Sequence, residues 1–107
     1  MERLVQLSKI FSDINRLKIL ILILRDTEVC VCEICETLEL SQPLVSRHLK
    51  QMRNANILES MQKGKWMIYS LIAKPDSLLQ CWIHEAMKQT TCLPPLVTCT
   101  AKSNCDI

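Results

Sequence analysis

Three cysteines fall within six residues at Cys30-Val31-Cys32-Glu33-Ile34-Cys35, the densest group of reactive side chains in the chain. Thiolates are soft donors and select soft metal and metalloid ions, while carboxylate and carbonyl oxygens suit hard ones. Their spacing restricts how they can act together. Residues two apart on a regular helix point about 200° away from each other. Cys30 and Cys32 therefore cannot face one ion from the same helix, whereas Cys32 and Cys35, three apart, can share a face. A three-thiolate site needs Cys30 on extended backbone ahead of a helix, or a distorted first helical turn. Ion binding and local backbone shape are coupled at such a site. Cys35, next to Ile34 and three before Leu38, also fits the pattern of a small core residue. A Cys30–Cys32 disulfide is disfavoured, because neighbours two apart reach the required geometry only with strain.

The segment that follows is basic. Residues 26–39 carry Asp26, Glu28, Glu33, Glu36 and Glu39 and no Lys or Arg, while residues 41–70 carry Arg47, Lys50, Arg53, Lys63 and Lys65 against Glu59 alone. That asymmetry is more informative than the net charge of +2. A short helix over 31–38, a turn at Glu39-Leu40 and a helix from Ser41 to about Asn54 make a helix-turn-helix pattern. Ser41 suits the N-cap and Pro43 the first turn. Val45, Leu49 and Met52 form the inward stripe of the second helix, with Gln42, Ser46, Arg47, Lys50 and Arg53 on or near the other side. A polar, basic second helix is what docking in a DNA groove requires. Gln42 and Ser46 are the candidates for base edges, and Arg47 for a guanine or a phosphate. Lys50, with Lys63 and Lys65 at the tip of a hairpin turned at Gly64, suits phosphate. His48 reads as a packed or capping residue.

The rest of the chain must position these two sites. At 107 residues it is long enough for one domain with a modest core, and a single Gly with four aromatic residues favours helix over strand. Periodicity predicts helices over 2–11, from Ile14 to about Leu24, over 31–38, from Ser41 to about Asn54 and from about Pro75 to Gln89. In the third of these, Glu33 and Glu36 face outward. Strands are expected near Val29-Cys30 and over about 57–62 and 65–71. The fold class is mainly α with a small β-hairpin, a winged helix-turn-helix. The first and last helices carry more apolar surface than so small a core can cover, which implies a homodimer paired through them. Two-fold symmetry in turn implies an imperfectly palindromic stretch of double-stranded DNA. The domain is expected to span 1–89, with 90–107 as a flexible, cysteine-containing tail. Within that tail Cys92, Cys99 and Cys105 form a candidate second metal site. Seven cysteines could suggest a secreted disulfide scaffold, but the number is odd and the start Met1-Glu2-Arg3-Leu4 lacks a signal-peptide apolar region. The longest apolar run, Ile19 to Leu24, is far too short to span a bilayer. The reading is a cytoplasmic protein, not membrane-bound, with free or ion-bound thiols.

Over about residues 5–88 the chain resembles the arsenical-resistance repressor (ArsR) family, and specifically its arsenite-responsive branch. Cys30-Val31-Cys32-Glu33-Ile34-Cys35 is similar to that branch's inducer motif. Ser41-Gln42-Pro43-Leu44-Val45-Ser46-Arg47-His48-Leu49 is similar to its recognition helix, and Gly64-Lys65-Trp66 with Tyr69 to its wing. The resemblance implies a homodimeric repressor on an operator upstream of arsenic-resistance genes. Trivalent arsenic (arsenite) or antimonite would release it, with Cys30 and Cys32 as principal ligands and Cys35 as the third. The chain departs from the family where a glycine often closes the recognition helix; Ala55 or Asn56 stands there instead. A cadmium, lead or zinc sensor could use the same thiols, although four-coordinate ions usually recruit a further ligand and none is evident in this segment. A thiol-redox regulator is the rival of another class, and Cys32-Glu33-Ile34-Cys35 is its one cue. No phosphate-binding loop or catalytic triad is present to suggest an enzyme.

Overall fold

A computed structural model describes residues 1–97. Helix α1 (Glu2–Phe11) buries Leu7 and Phe11. Asp13 then caps α2 (Ile14–Asp26), its carboxylate accepting the Asn15 and Arg16 amides at 2.8 and 3.4 Å. Ile14 at the start of α2 is exposed, while residues Ile19, Leu20, Ile21, Leu22 and Ile23 are all buried, so this stretch of the helix is covered on every side. It is the axis on which the other elements pack.

After a turn come β1 (Val29–Cys30), α3 (Val31–Leu38) and α4 (Gln42–Asn54). Pro43 lies in the first turn of α4, and Ser41 takes the extended N-cap conformation, yet its hydroxyl makes no capping bond. A capping side chain bonds the amide of the second or third helical residue, and Pro43, the second, has none to offer. Val45, Leu49 and Met52 are fully buried against the core, as their spacing predicts.

The end of α4 explains the missing glycine. Asn56 has φ 57°, and the amide of Ile57 reaches back to the Met52 carbonyl at 3.0 Å. Asparagine is one of the few residues other than glycine that enters this left-handed region readily. Asn56→Ala should therefore cost about 1–2 kcal/mol, and Asn56→Gly should not. Urea melts of the two variants check this.

The wing is β2 (Leu58–Lys63) and β3 (Trp66–Leu71), antiparallel and in register from Leu58↔Leu71 to Lys63↔Trp66. Gly64, at φ 64°, supplies the turn. On its other edge β3 pairs with β1, Val29 opposite Tyr69 and Cys30 opposite Ile68. The three-stranded order is thus β1-β3-β2, and the strand carrying Cys30 is hydrogen-bonded to the wing.

Helix α5 (Ser77–Met87) returns over α1 and α2, with Trp82 against Phe11 at a centroid distance of 4.9 Å. Arg3 fastens this corner. Its guanidinium reaches Asp76, the α5 N-cap, at 2.7 Å and the Ala55 carbonyl just past α4 at 2.5 Å. The Arg3 hydrogen bonds hold the Asp76 carboxyl below its ordinary range.

Residues 90–97 differ from the expected free tail. A 3₁₀ turn (Thr90–Cys92) follows α5, and Leu93 and Leu96 pack against the core. Arg25 donates to the Leu93 carbonyl at 3.2 Å, and the Val97 amide donates to Thr37 Oγ1 of α3 at 2.9 Å. Two leucines spaced by Pro94-Pro95 were too weak a pattern to read as anchors in the sequence. No helix among the described residues is long and apolar enough to cross a membrane.

Candidate functional site

Cys30 sits at the junction the thiol spacing demands. It has φ −93° and ψ 165°, extended backbone, and is the N-cap of α3. A capping box holds it there: its sulfur accepts the Glu33 amide, and the Glu33 carboxylate accepts the Cys30 amide at 3.1 Å. Each group satisfies a helix-end donor that would otherwise have no partner. Glu33 is therefore buried, only 2% exposed, and not outward as the helical period suggests. In the first turn a carboxylate can fold back on the cap, and burial follows from that bond rather than from periodicity.

With Cys30 ahead of the helix, its sulfur and that of Cys32 meet, and the Cys32 side chain hydrogen-bonds Cys30. Burial pushes the Cys30 thiol above its ordinary pKa. The Glu33 amide opposes that shift and the Glu33 charge reinforces it. Cys30 is thus a protonated thiol at neutral pH.

Both residues line a cavity of about 270 Å³. Its walls are Cys30, Val31 and Cys32 on one side, Gln42 at the start of α4, and Lys65, Trp66 and Met67 of the wing. Cys35 is not part of this wall; it packs against the core. Two of the three predicted ligands are therefore together and the third lies elsewhere on α3. Among the described residues no three His, Cys, Asp or Glu side chains are grouped to hold a metal ion. Cys92, at the end of the 3₁₀ turn, is exposed with its thiol on Gln89 at 3.2 Å. Cys99 and Cys105 lie outside the described residues.

The predicted residues of α4 are exposed together. Gln42, Ser46 and Lys50 recur every four residues on α4, and all three are exposed, as is Arg47. This stripe lies opposite Val45, Leu49 and Met52. At the wing tip Lys63 pairs with Glu28 at 3.2 Å, both about half exposed. Glu28 precedes β1, so this ion pair joins the wing to the thiol strand, a link that residue spacing alone does not reveal. An exposed pair of this kind contributes about 0–1 kcal/mol.

His48 packs inward from α4 and is 5% exposed, with neither ring nitrogen hydrogen-bonded. Burial lowers its pKa; Asp13 on α2 opposes this, while Arg16 on α2 and Arg47 on α4 add to it. A base whose folded pKa lies below its unfolded value of about 6.5 must give up that burial to take a proton. Stability should be at full value above about pH 6.5 and fall as pH drops below it. Urea midpoints at acid and neutral pH check this, and His48→Leu should flatten the difference.

Comparison with known proteins places the chain in a family. Residues 13–60 match the family described as bacterial regulatory protein, arsR family. The chain is 35% identical over 102 residues to the arsenical resistance operon repressor of Escherichia coli, covering 94% of this chain and 87% of that protein. It is 49% identical over 63 residues to the arsenic resistance transcriptional regulator ArsR1 of Pseudomonas putida, a match covering 59% of this chain and 49%, about half, of that relative. A cadmium resistance transcriptional regulatory protein, CadC of Listeria innocua, is 36% identical over 61 residues, covering 57% of this chain and 51% of that protein. Among solved structures, HlyU from Vibrio cholerae superposes with a TM-score of 0.71 at 27% identity, covering 84% of this chain and 94% of that one. Such relatives are transcriptional regulators rather than enzymes. With its winged helix-turn-helix and a match to most of a full-length relative, the chain belongs to the ArsR family of bacterial regulatory proteins.

Proposed function

We propose that the chain is a metalloid-responsive repressor that binds operator DNA as a homodimer and is released when trivalent arsenic or antimony binds its cysteine sulfurs. The observation that carries this reading is the shared cavity: Cys30 and Cys32 open onto the same space as Gln42 and Lys65. The proposed sensing atoms and DNA-reading side chains line one cavity rather than lying at distant sites.

Arsenous acid, As(OH)₃, would exchange hydroxide for sulfur. Each step forms one As–S bond and breaks one As–O bond, and the thiol proton leaves with the hydroxide as water; nothing is oxidised or reduced. Cys30 and Cys32 take the first two positions. Bringing Cys35 to the third turns or unwinds the start of α3, which packs on α4, and the two reading helices of the dimer lose their matched spacing. A coupling of about 1–3 kcal/mol would weaken operator binding about 5- to 150-fold.

On the DNA, Gln42 and Ser46 read base edges, Arg47 a guanine or a phosphate, and Lys50, Lys63 and Lys65 hold phosphates. Exposed Leu4, Val5 and Met87 on α1 and α5 support pairing through those helices. A two-fold dimer then selects an imperfect palindrome.

The relationship to a cadmium regulator favours one second reading, a divalent-ion sensor using the same thiols. One titration separates the two. Operator release is followed with arsenite, antimonite, cadmium and zinc, using the parent and a variant with Cys92, Cys99 and Cys105 all changed to Ser. Release by arsenite and antimonite at lower concentration than by the cations supports the proposal. Release by cations alone would replace it, and a response lost in the Ser variant would move the sensor to Cys92, Cys99 and Cys105.

A further inference from the structure

The residues proposed to meet DNA do not by themselves set the angle at which α4 is presented. We infer that Arg16 is a positioning residue for operator recognition, holding the roll of α4 against the body of the domain through Gln51. The inference rests on the proposal that α4 reads DNA, and adds a residue that acts without touching it.

Arg16 is oriented first by α1. Its Nε donates to the Ile10 carbonyl at 2.8 Å and its Nη2 to the Lys9 carbonyl at 3.4 Å. Both carbonyls belong to the last turn of α1, where helical partners run out. Asp13, the α2 N-cap, lies 4.0 Å from Nη2. A guanidinium is a planar fork with fixed donor directions. Two of its nitrogens are spent on α1 and the side chain is only 17% exposed, so the direction of Nη1 is settled independently of α4. That nitrogen donates to Oε1 of Gln51. Among the described residues this is the one hydrogen bond from α2 to α4.

The rest of the packing of α4 shows why such a tie matters. Val45, Leu49 and Met52 fix how deep the helix sits, but apolar burial is non-directional. His48, three residues before Gln51 and on the same flank, is buried yet bonds through neither ring nitrogen. It fills space without setting an angle. The side-chain surface of a helix lies about 5–6 Å from its axis, so a roll of about 10° moves that surface by about 1 Å. A hydrogen bond of about 2.9 Å is lost when stretched to about 3.6 Å. Gln42 and Ser46 therefore lose base edges on a small roll, whereas Lys50 follows its phosphate on a flexible stem. Discrimination between sequences, more than affinity for DNA as such, depends on the Arg16 clamp.

The probes are a duplex that the parent selects from a random-sequence pool and a scrambled duplex of the same composition. Binding to both is measured for the parent, Gln51→Ala, Arg16→Lys, the double variant and Gln51→Glu, beside urea midpoints. Gln51 is exposed, so Gln51→Ala should keep the parent's midpoint. It should lower the preference for the selected duplex by about 10-fold, the low end for one charged hydrogen bond, and bind the scrambled duplex as before. Arg16→Lys keeps the charge and loses the fork, so its preference should fall likewise. The double variant should be no worse than the worse single one, because both remove the same bond. Gln51→Glu keeps an acceptor for Arg16; its charge weakens both duplexes alike and its preference stays the parent's. Additive losses in the double variant would mean that Gln51 or Arg16 touches DNA itself. An unchanged preference in Gln51→Ala would mean that α4 needs no such tie. Either result overturns the inference while leaving DNA reading in place. A parent that selects no duplex would overturn the DNA-reading proposal and the inference with it.

Discussion

Cys30→Ser should leave the fold and operator binding intact and remove the response to arsenite. The expectation follows from where Cys30 sits. It caps α3, and serine is among the best N-cap residues, so the hydroxyl can accept the Glu33 amide in place of the sulfur. The variant should be as stable as the parent or slightly more so, by up to about 1 kcal/mol. As a ligand, however, the hydroxyl is hard and the metalloid soft. Loss of a residue that merely supports a ligand costs about 10–100-fold in affinity, and loss of the ligand itself should cost more. Operator release at inducer concentrations more than about 100-fold higher than for the parent, with an unchanged urea midpoint, is the expected pair of results. A large loss of stability would mean that Cys30 is chiefly a core residue.

The second large effect is in pH. Exchange of As(OH)₃ onto thiols makes water and releases no net protons, so arsenite midpoints should be flat between about pH 6.5 and 8. A divalent cation must instead displace a proton from each thiol it binds. Burial raises the Cys30 pKa, so this thiol stays protonated through the whole window. The sign is therefore unambiguous: cation affinity rises with pH, by about tenfold per unit for each thiol deprotonated. Two sulfurs give about a hundredfold per unit and three about a thousandfold. Flat arsenite titrations beside steep cadmium ones show which chemistry the site favours at neutral pH. An arsenite response as steep as cadmium's would contradict proton-neutral exchange.

Much of this architecture was legible because its signals are local. The apolar run Ile19–Leu24 marks a covered helix, Gly64 marks the hairpin, and the offset of Cys30 from Cys32 demands a break in backbone shape between them. Each depends on residues a few positions apart. What escaped depends on contacts across the fold. Glu33 has the spacing of a solvent-facing residue and is buried by a bond to the cap three residues before it. Asn56 does the work of a glycine because the αL region admits asparagine, which only the backbone reveals. The Lys63–Glu28 and Arg3–Asp76 pairs join residues 35 and 73 positions apart, beyond any periodic pattern. The cavity is the clearest case. It exists because β1 pairs with β3 and so brings Lys65, Trp66 and Met67 over the thiols. Spacing could suggest that three sulfurs share an ion; only the assembled fold shows that Cys30 and Cys32 alone of the three line the cavity.

The Arg3 and Val97 contacts frame the proposed switch. Arg3 holds α1, α5 and the end of α4 as one body, and the Val97–Thr37 hydrogen bond ties the segment after α5 to α3. In the proposed switch, movement at the start of α3 would reach α4, which packs against it, and the wing, which pairs with β1.

The claim under all of this is that ligand and operator binding are coupled through the start of α3, and linkage makes that coupling measurable in either direction. Arsenite affinity should be determined by calorimetry on the protein alone and on the protein saturated with operator. The account predicts weaker arsenite binding on DNA, by the same factor, about 5- to 150-fold, by which arsenite weakens DNA binding. Identical affinities in the two titrations would contradict it.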